Sequence, residues 1–335
     1  MYPVLFKIPF INWPVPSYGS MMVIGFLAAV FLIRHLSLDI TPDPQLITNA
    51  ALYSLIAGVV GARLFFVIHY FDRFRGDPLS VFAIWQGGLE LLGGVILAIT
   101  VIALYLWYRK LPIRRYLDIL AIGLMLALVF GRIGCFLNGC CFGKPANLPW
   151  AVRFPYHSPL HIHSPAYYSQ AHADLKRNRA KPQIELPVDF FGYYDENGMW
   201  VQDLKPYEHL TQEQKALVDN GPYRCLPVHP TQLYSSANGA VLCLILYLFW
   251  RRSRKAETSR ETKKLFTRPG CTFALMFILY GIARFFLEFL RDDNPFEFGW
   301  WTIYKGGTVS QNLVIYMVIL GIVLMVVFEK MKTKP

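Results

Sequence analysis

Ser310-Gln-Asn-Leu-Val-Ile-Tyr-Met-Val-Ile-Leu-Gly-Ile-Val-Leu-Met-Val-Val-Phe328 runs without a single charge. A bilayer core of roughly 30 Å needs about 20 apolar residues in helix. This stretch is therefore long enough to cross a membrane. Working outward, six more segments of similar character follow, giving seven spans at about 16–34, 48–70, 85–108, 116–138, 229–250, 269–290 and 306–328. The second is the weakest, because Arg63 interrupts it. Of the 335 residues, 54% are hydrophobic and only 16% charged, with a mean hydropathy of +0.34. Soluble domains are about a quarter charged. The composition excludes a disordered chain, a collagen and a small disulfide scaffold. The sequence predicts an all-α polytopic membrane protein.

The net charge of +11 would suggest nucleic acid in a soluble protein. Here the cations gather in short loops beside apolar spans, so no nucleic-acid partner is expected. The 109–115 loop, the 251–268 loop and the C-terminal tail hold fifteen Lys and Arg, against four in the 71–84 and 291–305 loops. Cytoplasmic loops carry the basic excess. The N-terminus is thus expected outside and the C-terminus inside. The first eleven residues lack the basic start and apolar core of a cleavable signal peptide. The organisation reads as helices 1–4 over 1–138, an extracytoplasmic head inserted at 139–228, helices 5–7 over 229–328 and a cytoplasmic tail at 329–335.

Ionisable groups inside a membrane are costly and point by default to function. This chain places Arg63, Glu90, Asp118, Arg132, Arg284 and Glu288 within or at the ends of spans. At about 1.5 Å of rise per residue, all but Asp118 fall at the outer level. Tyr18, His229, Gln232, Tyr234, Ser310 and Gln311 join them at outer helix ends. The pattern predicts a lateral pocket for an anionic group in the outer leaflet. Arg284 and Glu288 are four apart, on one helix face, which also suits a structural ion pair. Arg63 equally suits snorkelling. Asp118 reads as a surface partner of Arg114 and Arg115.

The most unusual stretch is Gly131-Arg-Ile-Gly-Cys-Phe-Leu-Asn-Gly-Cys-Cys-Phe-Gly143, which closes the fourth span. Glycine lets backbone approach a ligand closely. Arg132 offers a planar, permanently charged fork suited to phosphate, and Asn138 both donates and accepts. Small residues for helix packing are the alternative reading. Cys135, Cys140 and Cys141 could ligate a metal with His157, His161 or His163 of the head, or one of the latter two thiols could pair with Cys225. Buried small thiols remain the simplest reading, and no metal is assigned. No strand precedes the Gly-rich stretch and no GKS or GKT follows it, so no nucleotide or other cofactor is expected.

The GRIGxFxNGxxxG pattern resembles the signature of prolipoprotein diacylglyceryl transferases. Other pieces agree in order: Tyr18-Gly19, Gly61-Ala-Arg63, Trp85-Gln-Gly-Gly88 with Gly93-Gly94, His229-Pro-Thr-Gln-Leu-Tyr234, Gly281-Ile-Ala-Arg284 with Glu288 and Arg291, and Ser310-Gln311. The resemblance implies an enzyme of the bacterial inner membrane. Such enzymes move a diacylglyceryl group from phosphatidylglycerol to the lipobox cysteine of a prolipoprotein, releasing glycerol 1-phosphate. It implies that Arg132 and Arg284 bind the phosphate and stabilise its departure. It further implies that Tyr18, Asn138, Gly143, His229, Gln232 and Glu288 shape and polarise the site. Gly131, Gly134, Tyr234, Arg63 and Gln311 complete the substrate-binding set. Three positions depart from the family pattern. Cys135 stands where Asn is common, Cys140 where an acid is common, and Leu92 where a His before the glycine pair is common. His229 and Glu288 are the alternatives for the general base, with substrate phosphate a third. The departures also suit a diverged member that binds anionic lipid or modifies another acceptor. A transporter would instead spread its charges along a path across the membrane.

Overall fold

The computed structural model describes residues 4–7, 9, 14–41, 43, 45–74, 78–82, 90–156, 186–194, 198–258, 266–292 and 302–331. Its backbone is mostly helical. A short hairpin, β1 (Val4–Lys7) and β2 (Pro14–Pro16), leads into α1 (Ser17–Ser37). Helices α2 (Gln45–His69), α3 (Leu91–Tyr108) and α4 (Ile113–Asn138) follow. After an insertion come α6 (Thr231–Thr258), α7 (Cys271–Glu288) and α8 (Val309–Lys330). Among the described residues, six of these are long and apolar enough to cross a membrane, and α3 is an apolar helix of 18 residues. Five of these helices start and stop within three residues of the expected spans, but α3 begins at Leu91 rather than near 85, and α6 continues eight residues past 250 through the basic run that starts at Arg251.

Side chains facing away from the bundle are large and apolar. Phe31 is 76% exposed, and Val23, Leu27, Leu244, Leu313 and Ile322 are also exposed. Such a surface is costly in water and natural in lipid. The protein is a multi-pass membrane protein. The interior core gathers Leu36, Ile119, Ile122, Met125, Leu242, Leu246, Trp250 and Met276 from four helices. α4 lies at the centre, packed against α1, α6 and α7, while α2 pairs with α3 and α7 with α8.

Consecutive helices alternate in direction. The starts of α1, α3, α6 and α8 therefore share one end with the finishes of α2, α4 and α7. That end carries the Gly-rich signature, and the opposite end carries the basic loops. At the basic end Asp118 is buried rather than at the surface beside Arg114 and Arg115. Its carboxylate accepts from the backbone N–H groups of Gly270 at 2.7 Å and Phe273 at 2.9 Å. These are orphan donors of the first turn of α7, so Asp118 caps a neighbouring helix. Arg254 adds a hydrogen bond to the Asp39 carbonyl across the same end.

The described part of the insertion holds a small hairpin, β3 (Phe191–Tyr194) and β4 (Trp200–Leu204), and the short helix α5 (Gln212–Asp219). Thr211 and Gln214 close a capping box on α5. Phe190, Leu204, Leu210 and Val218 form its own small core. His157, His161 and His163 lie outside the described residues.

Candidate functional site

The site is built at the signature end. α4 stops because Gly139 adopts the left-handed conformation, φ 79°. This closes the helix with bonds from Gly139 N–H to Phe136 O and from Cys140 N–H to Cys135 O. The chain then turns sharply through Cys141, whose φ is +60°. Gly143 passes between two neighbours. Its N–H donates to the His229 carbonyl at 3.1 Å, and Lys144 N–H donates to the Leu290 carbonyl at 2.8 Å. A side chain at 143 would meet the His229 Cβ at 2.6 Å and the His229 and Leu290 carbonyl oxygens at 2.7 Å. Only glycine lets the signature loop thread between the start of α6 and the end of α7.

The start of α6 holds the same loop from the other side. Thr231 donates its hydroxyl to the Cys141 carbonyl at 2.8 Å, and Gln232 donates its amide to the Cys140 carbonyl at 2.7 Å. Both side chains are fully buried. Gln232 thus positions the loop through backbone. His229 contributes its backbone carbonyl to the loop, while its ring lies edge-on to Tyr234 with centroids 6.1 Å apart. The Tyr234 hydroxyl accepts from the Trp150 indole at 2.7 Å.

Arg132 and Arg284 both line one narrow crevice of about 10 Å³ between α4, α6 and α7, with Leu128, Ser235, Asn238, Tyr280 and Leu287. The Arg284 guanidinium lies 2.6 Å from the Glu288 carboxylate and donates to the Ser310 hydroxyl at 3.3 Å. The other Glu288 oxygen accepts from Thr308 at 2.8 Å. Thr308 caps α8 in a reciprocal box with Gln311, which is how the buried Gln311 reaches the site. Below Arg284, α7 and α8 enclose an apolar groove of about 250 Å³ lined by Gly281, Phe285, Val314 and Val318, among others.

Tyr18, at the start of α1, is exposed and interacts electrostatically with Arg132 and with Cys135, Cys140 and Cys141. Gly134 makes room for it, since a Cβ there would lie 3.3 Å from the Tyr18 ring. Gly131 lies half-buried near Met22, and Asn138 is exposed at the helix end. The three cysteine sulfurs lie within 4.8 Å of one another. The Cys140 thiol donates to the Cys135 carbonyl at 3.7 Å. All six cysteines are free. Cys225 packs instead with Phe154 and Val228.

Arg63 stands apart from this group. It is buried, with its guanidinium donating to the carbonyls of Val81 at 2.7 Å and Ser80 at 2.6 Å. The rings of Phe66 and Phe74 flank it at 5.6 and 5.4 Å. It anchors the segment after α2. Glu90 pairs with His69 at 2.7 Å. Leu92 lies in α3, with its side chain outside the described residues, as is the whole of Trp85–Gly88.

Sequence reasoning missed Ser235, Asn238 and Tyr280. Their signal was helical spacing. Gln232, Ser235 and Asn238 recur every third residue, and Tyr280 lies one turn before Arg284.

The profile of the prolipoprotein diacylglyceryl transferase family matches residues 3–327. A phosphatidylglycerol–prolipoprotein diacylglyceryl transferase of Burkholderia cenocepacia is 28% identical over 318 residues, covering 92% of this chain and 89% of its own. Proteins of the same name from Rhodospirillum rubrum and Clostridium tetani are 27% identical over 335 residues and 28% over 293. The first of these alignments covers 98% of this chain and 93% of the relative, the second 88% and 86%.

Proposed function

We infer the reaction from one premise: the chain belongs to the prolipoprotein diacylglyceryl transferase family. It is a transferase that moves a diacylglyceryl group to a prolipoprotein cysteine. Its donor is phosphatidylglycerol, its acceptor the lipobox cysteine of a prolipoprotein, and its products a thioether and glycerol 1-phosphate. The enzyme sits in the inner membrane of a bacterium with seven helices across it. Its N-terminus and the signature end face outward, and its C-terminus faces the cytoplasm. The 139–228 insertion is an outer head.

The observation that carries the mechanism is the cleft shared by Arg132 and Arg284. The carbon–oxygen bond that breaks leaves negative charge on a phosphate. Fixed cations aimed at that charge stabilise the transition state more than the ground state. Arg132 takes the phosphate as a fork. Arg284 is held in place by Glu288 and Ser310 and shares the load. The apolar groove below Arg284 suits an acyl chain, which would align the glyceryl carbon at the cleft. Tyr18 and Asn138 border the side where the acceptor thiol enters. Gly131, Gly134, Gly143, Gln232 and Tyr234 set the shape of the walls, Gln311 fixes Thr308 against Glu288, and Arg63 braces the α2–α3 side. His229 and Glu288 are the side chains nearest in type to a general base. Glu288 is already committed to Arg284 and Thr308, so His229 is the better of the two.

The test is to give the purified protein phosphatidylglycerol vesicles and a lipobox peptide: one diacylglyceryl mass should appear on the cysteine, and none when phosphatidylethanolamine replaces phosphatidylglycerol. Leu92, where the family pattern commonly carries His, favours a second reading in which the protein holds anionic lipid without transferring it. Retained lipid without thioether product would favour that reading.

A further inference from the structure

Three of the six cysteines are placed unlike the others. Cys225 packs among Phe154 and Val228, Cys271 beside Ala274 and Met325, and Cys243 donates to the Ile122 carbonyl inside the bundle. These are ordinary small buried side chains. Cys135, Cys140 and Cys141 instead converge with their sulfurs within 4.8 Å of one another, and two of the three are only half-buried. Their neighbours are charged and polar: Arg132, Arg291 and Tyr18.

The convergence is built by the fold. The left-handed Gly139 and the positive φ of Cys141 fold the chain back on the last turn of α4. Fully buried Thr231 and Gln232 then fix the carbonyls of Cys141 and Cys140. Ligand sites are held by outer partners of this kind. A tetrahedral zinc ion with Zn–S near 2.3 Å spaces its sulfurs by about 3.8 Å. The sulfurs, within 4.8 Å of one another, would have to draw together by up to about 1 Å to reach that value.

We propose that Cys135, Cys140 and Cys141 form a three-thiolate zinc site whose fourth position takes the acceptor cysteine of the substrate. This rests on the transferase reading above and gives the activation of the acceptor thiol to the metal in place of a general base such as His229. Three protein ligands and an open position are the form of a catalytic zinc site. A thiol that coordinates zinc is deprotonated outright. The acceptor S–H loses its proton to water on binding. Its sulfur lone pair then forms the bond to the glyceryl carbon while the carbon–oxygen bond to phosphate breaks, and glycerol 1-phosphate leaves with that electron pair. The zinc neither gains nor loses electrons. Arg132 and Arg291 offset the negative charge of four sulfurs around one divalent ion.

The test uses the full-length chain in detergent, stripped with chelator and titrated with Co²⁺. One cobalt per chain is expected, with thiolate-to-cobalt charge-transfer absorption. Its ligand-field bands shift on addition of a lipobox peptide and stay still with the Cys→Ser peptide. Cys140→Ser weakens cobalt binding at least tenfold, and Cys243→Ser leaves it unchanged. The peptide-induced shift is read on wild type, so a misfolded variant does not obscure it. Folded wild type without charge-transfer absorption overturns the site. Bands indifferent to the peptide thiol overturn its role. Equal transfer by stripped and zinc-loaded enzyme also overturns that role while leaving the transferase reading intact. A normal cobalt spectrum with no transfer from zinc-loaded enzyme contradicts the transferase reading instead.

Discussion

The Arg284 guanidinium and the Glu288 carboxylate, one helical turn apart on α7, meet at 2.6 Å with the carboxylate almost fully buried. Removing one member of such a pair leaves an uncompensated buried charge, which costs about 3–5 kcal/mol. Glu288→Gln should therefore lower the unfolding midpoint sharply and reduce transfer together with it. Thermal unfolding in detergent beside the transfer assay checks both. A variant as stable as wild type would show that Arg284 does not depend on Glu288.

Thr308→Val removes a single hydrogen bond to the same carboxylate and half of a helix cap. The loss should be smaller, about 1–2 kcal/mol. A larger fall than for Glu288→Gln would place the main support of the site on α8 rather than on the ion pair.

Gly143→Ala should shift the signature loop without disturbing the spans. The added methyl meets two backbone carbonyl oxygens at 2.7 Å, and neither can rotate away. Overpacking of this kind costs about 1–3 kcal/mol. Helical circular dichroism is expected to stay at the wild-type value while transfer drops at least tenfold. Unchanged transfer would show that the loop tolerates movement at His229 and Leu290.

Asp118→Ala separates structure from chemistry. Asp118 caps α7 from the end opposite the site. Loss of a cap costs about 0.5–2 kcal/mol. The unfolding midpoint should fall, while transfer per folded molecule at low temperature stays at the wild-type level. A fall in that specific rate would give Asp118 a part in the reaction.

The spans were legible because crossing a bilayer needs a length and hydropathy that only a long run such as 310–328 supplies. The level shared by Arg132, Arg284 and Glu288 followed from helix direction alone. Two features were not legible. Arg63 looked like its fellow arginines, but its partners are backbone carbonyls of Ser80 and Val81, set by the turn after α2. Asp118 sat beside Arg114 and Arg115 in sequence, yet the packing of α4 on α7 points it at open amide groups. The cysteine cluster was legible as one of several readings; its convergence depends on two positive-φ residues, Gly139 and Cys141, and only the first is a glycine that announces such a turn.

The central claim is that Arg132 and Arg284 receive the departing phosphate together. The most direct measurement is the rate of diacylglyceryl transfer from phosphatidylglycerol to a lipobox peptide by Arg132→Ala, beside Arg132→Lys and wild type. Losing one fixed donor to a developing anion should cost about 100-fold or more. Lysine should restore only part of the rate, since its point charge cannot fork. Folding is expected to persist in both variants. Transfer by Arg132→Ala at the wild-type rate would contradict the account.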